Sequence, residues 1–160
     1  MKIYIANDHA GYDLKVLILE HLEKRGLEYV DCGCGQGENV RYPIYGAKAA
    51  AAVSKGVTGR AILVCGTGIG MSILANKYPN VRASLCTTVY MGGITRAHND
   101  SNILCLGGRI TQPDLAIEIL DAWLDTPFEG GRHGVSLDMV KTAEEQNGKG
   151  RIWEGNLDKI

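Results

Sequence analysis

Arg60-Ala61-Ile62-Leu63-Val64-Cys65-Gly66-Thr67-Gly68-Ile69-Gly70-Met71-Ser72 joins an unbroken apolar run to three glycines at alternate positions. A short apolar run without polar alternation marks a strand covered on both faces, as in a parallel sheet between two helical layers. The glycines that follow make a turn over Cys65–Gly70. The chain then continues as a helix over Met71–Lys77 and stops before Pro79. Strand, turn and helix in that order form the repeating unit of an open α/β sheet.

The flanking sequence repeats the unit. Lys2–Asn7 reads as a strand, followed by a helix over Gly11–Arg25 with Leu14, Leu17, Ile18 and Leu22 on one face and Gly26 at its end. Leu27–Asp31 is a second strand, Cys32–Asn39 a glycine-rich loop, and the alanine-rich Tyr42–Lys55 a helix. Downstream, Val81–Cys86 reads as a further buried strand, Val89–His98 as a helix weakened by Gly92 and Gly93, and Asn102–Leu106 as the fifth strand. Pro113–Leu124 is an amphipathic helix, and a last helix is expected over Val135–Gln146. The expected fold is an αβα sandwich around a five-stranded parallel sheet, Rossmann-like, in a single domain over residues 1–147 with a polar tail over 148–160. Trp153 in that tail is expected to dock on a neighbouring surface.

Composition narrows the function. With 17 basic and 18 acidic residues and a net charge of −1, there is no electrostatic reason to expect nucleic acid or an anionic membrane as partner. No apolar run approaches the ~20 residues that span a bilayer. Met1–Ala6 runs straight into a strand and lacks signal-peptide architecture, so the expected compartment is the cytoplasm. Five cysteines, an odd count, suit reduced thiols. Cys32 and Cys34 have the wrong spacing for a zinc pair and no second pair follows, so no metal is expected.

In open α/β sheets ligands bind beyond the carboxyl ends of the strands. Three segments follow a strand directly: Asn7-Asp8-His9, Cys65-Gly66-Thr67 and Gly107-Gly108-Arg109. All three are expected on one rim. Main-chain N–H groups of Gly66, Gly68, Ile69 and Gly70 can approach an anion or a developing oxyanion there. A dinucleotide site competes for this reading, but the spacing is GxGxG, and no Asp or Glu lies between Gly70 and Asp100 to hold a ribose. Nor does Gly-Lys-Ser/Thr follow, as a P-loop requires. A lone cysteine at a strand end is commonly a packed hydrophobe. Cys86 and Cys105 are read that way; Cys65 differs because glycines follow it. His9 and His98, each taken singly, could be capping or core residues, and His21 reads as surface. Arg109 and Arg132 follow glycine pairs, which lets a guanidinium approach a phosphate, although solvated surface arginines would look the same.

Together Asn-Asp-His-Ala-Gly (7–11), Cys-Gly-Thr-Gly-Ile-Gly-Met-Ser (65–72), Arg-Ala-His-Asn-Asp (96–100) and Glu-Gly-Gly-Arg-His (129–133) resemble the ribose-5-phosphate isomerase B family, which includes galactose-6-phosphate isomerase subunits. The resemblance spans Met1 to Gln146 in order. It implies aldose–ketose isomerisation of phosphosugars, in the pentose phosphate pathway, without metal or cofactor. It also implies a homodimer or homotetramer whose active sites are shared between subunits. By position, Cys65 is the base that moves a proton between C1 and C2. His98 is the acid that opens the sugar ring, and Asp8 handles ring hydroxyls. Thr67 and the amides of Gly66–Gly70 hold the enediolate, with Asn99 beside them. His9, Arg109 and Arg132 bind phosphate, and His133 joins the shared site.

Two positions depart from the family pattern. Ser136 stands where many members carry a second phosphate-binding arginine, and Arg41 replaces an acid before Tyr42-Pro43. Either Arg41 supplies the missing charge or the sugar differs. The expected substrate is ribose 5-phosphate. The competing readings are another phosphosugar (galactose 6-phosphate, allose 6-phosphate or a tetrose phosphate) and a non-catalytic sugar-phosphate-binding subunit.

Overall fold

Alternate side chains of three central strands feed two separate cores. In the computed structural model, which describes residues 2–150, the strands are β1 (Ile3–Asn7), β2 (Tyr29–Asp31), β3 (Ala61–Cys65), β4 (Ala83–Leu85) and β5 (Ile103–Gly107). All pair in parallel in the order β2-β1-β3-β5-β4. A 3-10 turn, His9–Gly11, leads into helix α1 (Tyr12–Lys24), and the other helices are α2 (Tyr42–Ser54), α3 (Ile69–Ala75), α4 (Val89–Asn99), α5 (Pro113–Asp125) and α6 (Arg132–Gly148).

Ile3, Ile5, Ile62, Val64, Leu104 and Leu106 point to one face and pack with Leu14, Ile18, Leu22, Ile119, Leu120 and Trp123 of α1 and α5. Ala6, Ala61, Leu63, Cys65, Ile103 and Cys105 point to the other, against Ala49, Ala50 and Val53 of α2 and Met71 and Ala75 of α3. The period-2 split follows from the pleat. Each large side chain buried this way contributes about 1.5–3 kcal/mol. The expected αβα sandwich is therefore the observed one.

Several boundaries differ from the sequence-based expectation. β4 is only Ala83–Leu85 and half-buried, because the strand order puts it at the sheet edge, where one side has no neighbour. Helix α3 starts at Ile69, two residues early, since Gly68 takes φ +78 and turns the chain at once. Helix α6 starts at Arg132 because the reversal is completed by Gly130 and Gly131, with φ +67 and +55. His21 is not plain surface: its Nε2 pairs with Asp121 Oδ1 at 2.7 Å, tying α1 to α5. Trp153 and most of the expected tail lie outside the described residues. No helix of the described residues is long and apolar enough to cross a membrane.

Candidate active site

The chain turns back on itself at the carboxyl ends of β1 and β3, where the strand order reverses. The loops after β1, β3 and β5 interlock there through main chain. The Asp8 N–H donates to Val64 O at 3.1 Å, Gly108 N–H to Cys65 O at 2.8 Å, and Arg109 N–H to Gly66 O at 3.0 Å. A Cβ on Gly108 would sit 2.6 Å from Ala10 O, so only glycine allows this approach. The three segments thus share one rim, as their positions after strands foretell.

Cys65 is the last residue of β3, and its Sγ accepts the Gly68 N–H at 3.1 Å. The sulfur is more covered than the glycines suggest: Cys65 is 5% exposed, and the Arg109 side chain lies over Gly66. Thr67 is exposed, and its Oγ1 accepts the Ile69 N–H at 3.3 Å. Asp8 is buried and uses Oδ1 to cap the 3-10 turn, accepting from Ala10 N–H at 2.9 Å and Gly11 N–H at 3.1 Å. His9 is exposed. With its proton on Nδ1 it donates to Val40 O at 3.1 Å, which leaves Nε2 facing outward. A cavity of about 330 Å³ opens there, lined by His9, Asn39, Val40 and Arg41. The other two thiols read as core are core. Burial pushes Cys86 up to about 12, and burial, followed by neighbouring Cys65 and Cys86, pushes Cys105 well up.

His98, Asn99, Arg132 and His133 are elsewhere. Helix α4 runs antiparallel to the strands, so its last residues, His98 and Asn99, reach the amino ends of β4 and β5. There Ala61 N–H donates to Asn102 O at 3.0 Å, while Cys65 pairs in register with Gly107 four residues on. About 13 Å of strand separates the two levels. The Glu129 N–H donates to Ala97 O at 3.0 Å, which places the start of α6 beside the end of α4. The His98 and His133 rings stack with centroids 3.9 Å apart and planes 15° apart. Glu129 Oε2 lies 3.7 Å from His98 Nε2 and 3.5 Å from His133 Nε2. Those three groups have metal-like spacing, but the lone pairs of stacked rings run side by side, whereas a bound ion needs them to converge.

The expected constellation therefore divides in two within one protomer. The carboxyl rim holds Asp8, His9, Cys65, Thr67, the Gly66–Gly70 amides and Arg109; the amino rim holds His98, Asn99, Arg132 and His133. Sequence reasoning missed Tyr42, whose ring packs on Gly70, about 3 Å from where a Cβ would lie. The signal was present in a glycine whose turn needs no such freedom and in an aromatic residue opening a helix across the loop. It also missed Glu129, four residues before His133, a spacing that could have suggested the contact.

A family model described as Ribose/Galactose Isomerase matches residues 3–140. The chain is 41% identical over 145 residues to ribose-5-phosphate isomerase B of Escherichia coli (strain K12), covering 91% of this chain and 97% of the relative. Among solved structures it is similar to ribose-5-phosphate isomerase B of Clostridium thermocellum, with a TM-score of 0.89 and 48% identity over 92% of this chain and 99% of that one. It is likewise similar to that of Mycoplasma genitalium with bound ribulose-5-phosphate, with a TM-score of 0.87 and 36% identity over 91% and 97%.

Proposed function

This chain belongs to the ribose/galactose isomerase family, and we propose that it interconverts ribose 5-phosphate and ribulose 5-phosphate at sites completed by two copies of the chain. The observation that carries the proposal is the separation of a base and its amide turn on one rim from an imidazole on the other. Neither half suffices alone. Helix α6, which carries Arg132 and His133, has no buried residue among its 17, so it has a face for a second copy to cover. Exposed Ile44, Ile69, Ile73, Tyr90 and Ile110 give the chain further apolar surface to bury in such a pair.

The chemistry proceeds in two stages. His98 of the partner subunit protonates the ring oxygen while Asp8 accepts the proton of the anomeric hydroxyl, so the ring opens to the free aldehyde. Cys65 then takes the C2 proton and returns it to C1, while the proton of the O2 hydroxyl passes to O1. The enediolate oxygen that forms between these transfers is held by N–H groups of the Gly66–Gly70 turn and by Thr67, with Asn99 of the partner subunit beside it. Fixed donors of this kind contribute about 3–4 kcal/mol each to a transition state. His9, Arg109 and Arg132 of the partner subunit hold the phosphate. Arg41, in the same cavity as His9, adds a charge that Ser136 does not supply. The reading places the chain among cytoplasmic enzymes of sugar-phosphate metabolism.

Purified protein assayed on a panel of aldose and ketose phosphates tests this. The expected result is isomer formation from ribose 5-phosphate at a higher kcat/KM than from hexose or tetrose phosphates. A hexose or tetrose phosphate turned over faster would replace the substrate and leave the mechanism. Binding of sugar phosphate without turnover or solvent exchange would leave a binding subunit.

A further inference from the structure

The geometry points to Asp100 as a positioning residue that fixes the backbone from which His98 is offered to the opposite subunit. The inference rests on the reading above, in which His98 opens the sugar ring.

Asp100 closes α4 with φ 44 and ψ 45, a left-handed conformation that L side chains rarely adopt. Glycine takes it without steric cost. This chain follows α1 and α2 with glycines that also take positive φ, Gly26 at +67 and Gly56 at +70. Helix α4 ends with a carboxylate instead, and both of its oxygens are used. Oδ1 accepts from Arg96 Nη1 at 2.7 Å and Oδ2 from Arg82 Nη2 at 2.8 Å.

The same two guanidiniums then bind the turn itself. Arg82 Nε donates to Asn99 O at 3.1 Å and Asp100 O at 3.0 Å, and Arg96 Nη1 donates to Ser101 O at 2.6 Å. Behind them the buried Ser101 hydroxyl accepts Trp123 Nε1–H at 2.7 Å. Three successive carbonyls are thus held by arginines that Asp100 holds. Among the described residues, the side chains of His98 and Asn99 make no hydrogen bond; His98 only stacks on His133 and faces Glu129. The main chain is pinned while the side chains stay free, as in a site whose donors are set before substrate arrives.

Asp100→Gly and Asp100→Asn separate this role from mere helix termination, because glycine suits the backbone better than aspartate does and asparagine tolerates it. Two rates are measured on each sample. One is turnover of ribose 5-phosphate, a closed ring. The other is exchange of a C1 hydrogen of ribulose 5-phosphate with solvent deuterium. Ribulose 5-phosphate has no ring to open, since its O5 carries the phosphate, so exchange needs the Cys65 base but no ring-opening acid. In both variants the ratio of turnover to exchange is expected to fall by about 10- to 100-fold, the scale of a misplaced acid. An unfolded fraction lowers both rates by one factor and leaves the ratio alone. An unchanged ratio, whether both rates drop or neither does, overturns the positioning role. Wild-type protein that shows neither rate overturns the isomerase reading itself.

Discussion

At the carboxyl rim the groups proposed to meet substrate are held by main chain. The loops after β1, β3 and β5 are hydrogen-bonded to one another, Gly108 lies against Ala10, and the Gly68 amide faces the Cys65 sulfur. At the amino rim they are held by side chains. The Arg82–Asp100–Arg96 clamp fixes the end of α4, His98 and His133 stack, and α6 has no fully buried residue. The contrast follows from what each rim presents. Strand ends at a reversal of strand order crowd backbone together, which suits stabilisation of an oxyanion. Helix ends project side chains outward, which suits delivery of a proton or a cation to a neighbour.

Removing the base breaks the comparison most severely. Cys65→Ala is expected to lower kcat by about 100- to 10,000-fold, the range for a general base, while sugar-phosphate affinity measured by calorimetry changes little. Equal loss of affinity would make Cys65 a packing residue. Mixing Cys65→Ala chains with His98→Asn chains, each inactive alone, tests whether the rims of different copies meet. Random pairing makes half the dimers mixed, each with one intact site of two, so about a quarter of the activity should return. No recovery would mean that the rims never pair.

Arg132→Ala probes the amino rim more gently. A lost charge-assisted hydrogen bond of about 1.5–3 kcal/mol should raise KM by about 10- to 100-fold with kcat little changed. An unaltered KM removes Arg132 from the phosphate site. The smallest effects lie in a pair of glycines. Gly108→Ala forces a Cβ against Ala10 O and should cost about 1–3 kcal/mol, lowering Tm by about 2–12 °C for a chain of this size. Gly134, inside α6, has nothing within 4 Å of an added Cβ. Gly134→Ala should therefore gain about 0.5–1 kcal/mol of helix stability. A loss there would show that the second copy fills the space.

Much of this is legible in the sequence. The apolar runs at 60–64 and 102–106 read as buried strands, and a residue that follows a strand must reach its carboxyl rim. His98 obeyed the same logic in reverse. A residue where a helix gives way to a strand must reach the amino rim, so His98 cannot meet Cys65 of its own protomer. Tyr42 was invisible because its contact with Gly70 depends on the path of the 32–41 loop, which no periodicity describes. The extra turn at the start of α6 was hidden because Arg132 and His133 follow glycines, which usually end order. The short β4 is not legible because hydrophobicity does not tell an edge strand from a central one.

Helix α6 has one more consequence. A 17-residue helix with no fully buried residue, half-covered on one side and tied to its own protomer by Glu144 at the Asn80 N–H, keeps much of its surface open, and helices near that length are marginal in water without packing. Where the proposed second copy covers that surface, the order of α6 is tied by mass action to how often copies meet. Specific activity should be constant in concentrated solution and fall on dilution. The fall should track the loss of helical signal and reverse on reconcentration.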